Sequence, residues 1–172
     1  MPPIVQDFAK CDLHVTQILE CKNVDFSDKL LLMKLKVNDK ETRTFAAGVA
    51  HWYKPEDLIN KKIVTILNLK PRPMAEGKIV SEAMLFAGSY GENGQKENVK
   101  LCFPDQSVEV GTRVVIEGYE NLPAAEGQPK KHFDRVGEAL KAKDKCMALD
   151  GMKLIAGGKY ISVDVPDGAH LG

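Results

Sequence analysis

Residues 63–84 read IVTILNLKPRPMAEGKIVSEAM, and this stretch decides the fold that the sequence predicts. Its first five residues are mostly β-branched, which favours a buried strand. Pro71 and Pro73 come next. Because proline cannot donate a hydrogen bond to a neighbouring strand, residues 68–77 are predicted to leave the sheet. Residues 81–87 then favour another strand, so the stretch indicates a protein built mainly of β-sheet.

Similar strand signals recur on both sides of this stretch, whereas helical signals are few. We predict strands at 13–19, 29–37, 41–46, 99–103, 112–117, 146–149, 152–155 and 160–165. Helices are predicted from Pro55 and over 132–143, and a surface loop over 88–94. Five strands with a short helix between the third and the fourth suit a barrel of the OB type. The predicted fold class is mostly β: an OB-fold five-stranded barrel at 1–106, followed by a small β-rich C-terminal unit with one helix at 107–172.

The composition is typical of a globular protein. The chain of 172 residues has 24 basic and 24 acidic side chains, and 44% of its residues are hydrophobic, which argues against intrinsic disorder. No apolar run approaches the roughly 18 residues of a membrane-spanning helix, and the first residues do not resemble a secretory leader. The chain has four cysteines, Cys11, Cys21, Cys102 and Cys146. Their spacing fits neither a zinc motif nor a disulfide framework. We therefore expect reduced thiols and a cytoplasmic protein that does not bind membranes.

The neutral total charge conceals two basic segments. Residues 61–80 contain five basic side chains and one acidic one, and residues 128–145 contain six and three. If the fold brings these segments together, the protein has a basic face despite its pI of about 6.9. The alternative is that the lysines are dispersed and solvated, since nucleic-acid-binding domains usually have a pI above about 9.

Motifs for catalysis are absent from the sequence. The chain contains no Gly-x-x-x-x-Gly-Lys phosphate loop, no Gly-x-Gly-x-x-Gly and no Gly-x-Ser-x-Gly. Its four histidines are far apart and form no His-x-x-x-His pair. We therefore expect a protein that is not an enzyme and that uses neither a metal nor a cofactor.

The proline-rich stretch combines residue types that could bind phosphate groups. Lys70 and Arg72 would neutralise phosphates and release counterions, and the prolines would hold the loop extended, which lowers the entropy lost on binding. Asn68 and Ser81 would supply small hydrogen-bonding groups for sugar or phosphate oxygens. The alternative is a stiff surface loop in which Met84 belongs to the core.

A family resemblance favours the first of these interpretations. The motif Asn68-Leu69-Lys70-Pro71, continued by Met74, Gly77, Ser81 and Ala83-Met84, resembles the signature of the tRNA-binding domain family related to endothelial monocyte-activating polypeptide II. Such domains occur at the C-terminus of some tyrosyl-, methionyl- and lysyl-tRNA synthetases and in accessory proteins of synthetase complexes. Shorter matches lie at 12–15, at Arg43 with 47–49, at 111–119 and at 129–131. The last two resemble landmarks of the longer, two-part members.

This resemblance implies an OB barrel that binds tRNA by its backbone and shape, without sequence specificity. It implies a role as appendage or cofactor of an aminoacyl-tRNA synthetase that is fused to the chain or associated with it. The C-terminal unit would imitate the second subunit of short bacterial dimers, which implies a monomer. The implied tRNA-binding residues are Asn68, Lys70, Ser81 and Met84, with Arg43, Lys130 and Lys131 as further candidates.

The chain also departs from the family motif. Two basic residues that usually follow Pro71 are missing and Glu76 is added, although Arg72 and Lys78 could replace the lost charges. We therefore expect weaker and more salt-sensitive tRNA binding than in basic relatives.

Three functions remain open from the sequence. The resemblance favours a tRNA-binding appendage of a synthetase. A protein–protein interaction module of a synthetase complex, with little tRNA affinity, would suit the neutral charge and Glu76. A cytokine-like signalling fragment is opposed by the reduced cysteines and by residues 13–18, which lack the Arg and Gly of the family.

Overall fold

The strand signals form antiparallel sheets in the computed structural model, which describes residues 1–92 and 97–172. The strands of the first part are β1 (Leu13–Val24), β2 (Ser27–Lys36), β3 (Thr42–Ala47), β4 (Lys62–Ile66), β5 (Arg72–Met74), β6 (Ile79–Ser81), β7 (Met84–Leu85), β8 (Ala87–Tyr90) and β9 (Asn98–Leu101). Those of the second part are β10 (Val115–Ile116), β11 (Leu140–Lys143), β12 (Cys146–Leu149), β13 (Met152–Ala156) and β14 (Lys159–Tyr160). The helices are α1 (Pro3–Ala9), α2 (Pro55–Leu58) and α3 (Lys130–Ala139). The protein is therefore mostly β, as predicted.

The largest sheet has the strand order β3-β2-β1-β4-β7. Strand β2 has the alternating burial of a strand with one face on the core. Its residues Leu31, Met33 and Leu35 are buried, while the residues between them are exposed or half-buried. The edges of the sheet approach each other where the Glu82 N–H donates a hydrogen bond to the Thr44 carbonyl at 2.9 Å. No strand pairing joins β3 to β7 in the described part of the chain. The sheet is open, and the predicted closed barrel is not confirmed.

The second sheet has the order β10-β13-β12-β11, and it shows where the predicted helix 132–143 is wrong. Helix α3 ends at Ala139, because the next four residues alternate between buried and exposed positions and pair with β12. A helix cannot bury Leu140 and Ala142 together while exposing the residues between them, whereas a strand does. The alternation was present in the sequence and was misread as a continuation of the helix.

Other differences concern short elements. The loop predicted at 88–94 is strand β8 over its first three residues, and residues 93–94 lie outside the described residues. The strands predicted at 112–117 and 160–165 shrink to two-residue strands, β10 and β14. Helix α1 and the β5–β6 hairpin were not predicted.

Helix α1 joins the first and second parts of the fold through Asp7. The Asp7 carboxylate accepts hydrogen bonds from Arg135 Nε at 2.9 Å and Nη2 at 2.7 Å, and His132 Nδ1 lies 2.6 Å from the same group. The Arg135 hydrogen bond holds the pKa of Asp7 at about 2, below its ordinary 3.8, although burial opposes this shift. Helix α1 is thus fixed to α3 by charge-assisted hydrogen bonds.

The hydrophobic core is continuous across the predicted boundary between 106 and 107. One cluster of buried side chains contains Phe8 of α1, Leu13 of β1 and Ile66 of β4 together with Val136 of α3 and Leu154 of β13. A second cluster contains buried side chains of the five-stranded sheet together with Leu58 of α2. The division into units at 1–106 and 107–172 remains a prediction.

Gly88 in β8 lies beside residues 165–172, which pack against the first part of the fold. A Cβ atom at this position would lie 2.9 Å from Val165 Cγ2 and 3.0 Å from Leu171 Cδ2. The Gly172 N–H donates to the Ala87 carbonyl beside it at 2.9 Å. Only glycine leaves room for this approach.

Gly88→Ala is therefore expected to lower the free energy of unfolding by about 1–3 kcal/mol, the usual cost of forcing atoms into a packed core. Urea-induced unfolding followed by circular dichroism measures the change. Gly48→Ala is the matched control, because nothing lies within 4 Å of the added methyl group. Equal stabilities of the two variants would contradict the packing argument.

The cysteines are all free thiols in the structure. Burial raises the pKa of Cys11 to about 12 and that of Cys21 to about 11, so neither is reactive near neutral pH. Within residues 1–92 and 97–172 no helix is both long and apolar enough to cross a membrane. In the same residues no three His, Cys, Asp or Glu side chains are grouped so as to hold a metal ion.

Candidate nucleic-acid interface

The proline-rich stretch folds into a small hairpin outside the main sheet. Strand β5 pairs with β6 from Arg72 opposite Ser81 to Met74 opposite Ile79. The turn between them is tight, with positive φ angles at Ala75, Glu76 and Gly77 of 51°, 58° and 85°. The prediction that prolines exclude this stretch from a central strand is consistent with the structure, since β6 is the one strand paired with β5 among the described residues.

A groove of about 190 Å³ lies between this hairpin and the edge of the main sheet. Its lining includes Lys70, Arg72, Met74, Ser81 and Met84, and we call it the lysine–methionine groove. Lys70 and Arg72 are exposed, and neither has a hydrogen-bond or ion-pair partner among the described residues. Met74 and Met84 are half-buried and add apolar surface to its lining. The groove therefore combines available positive charge with a surface on which flat apolar groups can lie.

Ser81 and Asn68 hold the walls of this region in place. The Ser81 hydroxyl donates to the Ala83 carbonyl at 3.0 Å and accepts from the Ala46 N–H at 3.2 Å. Asn68 Nδ2 donates to the Lys10 and Gly127 carbonyls, and Asn68 Oδ1 accepts from the Asp12 N–H at 3.0 Å. Their hydrogen-bonding groups are engaged within the protein, so both are positioning residues here.

These uses are not predictable from the sequence, because most of the partners are backbone atoms of distant segments. Direct contacts of Asn68 and Ser81 with RNA remain predictions.

Arg43 is similarly engaged. Its Nη1 donates to the Leu67 carbonyl at 2.6 Å and to the Glu82 carbonyl at 3.1 Å, and its Nε is paired with the Glu41 carboxylate. The side chain lines a second groove of about 470 Å³, which also contains Asn68, Pro71, Gly127 and Gln128 and which we call the connector groove. Arg43 thus joins β3 to the end of β4 and contributes a partly neutralised charge.

The two basic segments meet at the connector groove. The hydrogen bond from Asn68 to the Gly127 carbonyl, at 3.2 Å, places the start of α3 beside the proline-rich stretch. Lys130 lies three residues farther on, within about 11 Å of that carbonyl by chain length alone. Lys130 and Lys131 are exposed in the first turn of α3. Cations there oppose the helix dipole, so they do not serve helix stability.

Lys78 lies apart from the groove. It follows the turn at the tip of the β5–β6 hairpin, and its Nζ lies 5.0 Å from the centre of the Phe26 ring. The structure therefore brings Lys70, Arg72, Ser81 and Met84 together, with Asn68 and Arg43 adjacent. Helix α3, which starts with Lys130 and Lys131, begins three residues after Gly127, and Lys78 lies at the other end of the hairpin from Arg72.

Two acidic side chains of this region were not considered from the sequence. Glu82 lines both grooves, and its Oε1 accepts a hydrogen bond from the Thr44 N–H at 3.0 Å. Asp12 lies 2.6 Å from His14 Nε2, and this hydrogen bond, together with the charges of Arg113 and Arg43, lowers its pKa despite partial burial. The Asp12 carboxylate is therefore ionised near neutral pH.

The sequence of this chain is similar to those of known proteins. A family model described as "Putative tRNA binding domain" matches residues 13–113. The methionine–tRNA ligase of Pyrococcus horikoshii is 40% identical over 109 residues, which are 63% of this chain and 14% of that protein. The chain thus spans about one-seventh of the length of this curated relative.

Two solved structures resemble the fold. The C-terminal domain of Plasmodium vivax p43 superposes with a TM-score of 0.84 at 20% identity, and the match covers 96% of this chain and 98% of that one. A MetRS related protein from Pyrococcus horikoshii superposes with a TM-score of 0.55 at 28% identity, covering 63% of this chain and 94% of the other. The first likeness extends over both parts of the fold, whereas the second covers 63% of the chain.

Proposed function

We propose, from the premise that this chain belongs to the family of tRNA-binding domains, that it binds tRNA without sequence specificity through the face formed by the two grooves. The observation that carries this proposal is the lysine–methionine groove, which is lined by two exposed cations without a side-chain partner among the described residues and by two half-buried methionines. Phosphates would contact Lys70 and Arg72, while riboses or bases would lie on the two methionines. Lys130 and Lys131 would extend the contact along the backbone.

RNA structure favours contacts of this kind. The major groove of an A-form helix is too deep and narrow for side chains, so a small domain binds tRNA by its phosphates, its shape and its unpaired nucleotides. Phosphate contacts carry no sequence information. Binding through this face would therefore extend to many tRNAs.

The proposed role is to raise the local concentration of tRNA for a synthetase. A weak tRNA-binding domain that is fused to a synthetase, or associated with one, makes the second contact intramolecular and strengthens the whole complex. We propose that the chain itself is not catalytic, needs no cofactor, works in the cytoplasm and is monomeric. The likeness to methionine–tRNA ligase supports an association with that type of enzyme.

Binding of bulk tRNA tests this function. We expect fluorescence anisotropy to show binding at about 50 mM salt and a steep loss of affinity by about 200 mM, because phosphate contacts release counterions. A DNA duplex should compete poorly. The slope of log affinity against log salt gives the number of neutralised phosphates. Absence of binding at low salt would overturn the proposal.

A protein–protein interaction module is the second candidate. The observation that favours it is the set of carboxylates at the grooves, since Glu41 and Glu82 both line the connector groove beside Arg43. A mixed-charge groove suits a polar protein partner as well as it suits RNA. Capture of a purified synthetase by a protein that fails to bind tRNA would favour this alternative.

A further inference from the structure

We propose that Phe26 is a stacking platform for an unpaired base of bound tRNA, an inference that rests on the function proposed above. Phe26 lies in the two-residue turn between β1 and β2, where Val24 pairs with Ser27. The residue retains 39% of its accessible surface. Turns of this length favour Gly, Asn, Asp or Ser, and an exposed phenylalanine contributes neither turn propensity nor core packing. The fold alone does not account for this residue.

The β5–β6 hairpin connects this ring to the lysine–methionine groove. At one end of the hairpin, Arg72 lines the groove opposite Ser81. At the other end, Lys78 lies over the Phe26 ring, with 5.0 Å between Nζ and the ring centre. Ser81 follows Lys78 by three positions in the sequence, which is about 10 Å of strand. A single RNA strand that is held in the groove can therefore also reach the ring.

The charges around Phe26 favour a base over a phosphate. Asp25 and Asp28 flank the ring in the sequence, and Glu76 lies in the adjacent turn; all three are exposed. These acids offset Lys78 and Lys29, so the hairpin tips do not attract phosphate as the groove does. A neutral base needs only a flat face, and stacking on an aromatic ring tolerates every base. Because Lys78 covers one face of the ring, the base would stack on the opposite face.

A matched control exists in the C-terminal sheet. Tyr160 is also exposed, at 45%, and also carries a lysine over its ring, with Lys153 Nζ 4.8 Å from the centre. Its hydroxyl donates to the Glu117 carboxylate at 2.7 Å, which places a negative charge beside the ring. Tyr160 thus has the same exposure and the same kind of partner but lies on a different sheet.

The experiment measures tRNA affinity as a function of salt for variants of Phe26. Phe26→Ala and Phe26→Leu are each expected to weaken binding at least about fivefold, since one stacked base is lost. The salt dependence should not change, because no phosphate contact is removed. Phe26→Trp should retain affinity, and its fluorescence should be quenched by tRNA beyond any change in the parent protein, which contains only Trp52. Tyr160→Ala should bind like the parent.

Each other result overturns the proposal in a recognisable way. If the parent protein binds tRNA and Phe26→Leu binds equally well, the ring serves only hairpin packing, and the proposed function stands without the platform. If Phe26→Ala changes the salt slope as well as the affinity, the residue acts by placing Lys78. If the parent protein does not bind tRNA, the platform and the proposed function fail together.

Discussion

Replacing Lys70 and Arg72 together by alanine is expected to weaken tRNA binding about 10- to 100-fold near 0.1 M salt. Two phosphate contacts contribute roughly this much, because each released counterion changes the slope of log affinity against log salt by about 0.7–0.9. The slope itself should fall by about 1.5 for the same reason. Anisotropy titrations of the variant at several salt concentrations measure both quantities. The structure supports this choice, since both side chains are exposed at the lysine–methionine groove and lack partners among the described residues.

The control for this variant removes the same charge elsewhere. Lys54 and Lys61 are exposed on either side of α2, and Lys61 precedes β4, at the opposite end of that strand from the groove. Lys54→Ala with Lys61→Ala should leave the slope near that of the parent. An equal loss of affinity in the two double variants would mean that total charge, and not the groove, governs binding.

Arg135→Met is expected to lower the free energy of unfolding by about 2–3 kcal/mol, because the buried Asp7 carboxylate loses two charge-assisted hydrogen bonds and keeps its contact with His132. Asp7 is only 10% exposed in its side chain, whereas Arg135 is 53% exposed, which keeps the expected loss below that of a fully buried pair. Chemical denaturation measures the change. The control is Lys145→Met, which breaks an ion pair whose side chains are 63% and 78% exposed. It should cost less than about 1 kcal/mol.

The pair of Asp7 and Arg135 also predicts how the free energy of unfolding changes at acid pH. The pKa of Asp7 is lowered in the folded state to about 2 from its ordinary 3.8, so its ionised form stabilises the fold. This contribution is complete above about pH 4 and is lost as the pH falls towards 2. Arg135→Met should therefore show a weaker dependence of stability on pH between about 4 and 2. If the stability of the variant falls between about pH 4 and 2 as steeply as that of the parent, Asp7 is not the source of this loss.

The fold was predictable where alternation was regular. In β2, burial of Leu31, Met33 and Leu35 follows directly from the sequence pattern, and β12 and β13 match the strands predicted at 146–149 and 152–155. Helix α1 escaped prediction because a seven-residue helix gives too few turns for a periodic signal. Its stability comes from contacts with α3, which no local pattern reports.

The candidate site was predictable in residue types but not in roles. Lys70 and Arg72, which the sequence indicates as phosphate-binding side chains, both line one groove, and their binding of phosphate remains a prediction. Arg43, Asn68 and Ser81 instead bind backbone carbonyls and N–H groups of segments far away in the sequence. Such partners depend on tertiary structure, and they separate residues that position the site from residues that can contact RNA. Their direct contacts with tRNA remain to be tested.

The pairing of α1 with α3 also determines the order in which the chain folds. Asp7 and Arg135 are 128 residues apart, so their contact closes one of the longest loops that this chain allows. Closing a long loop is entropically costly and must precede the gain from the contact. Such non-local contacts slow folding. Helix α1 can therefore gain its partner only after the chain has been synthesised through α3.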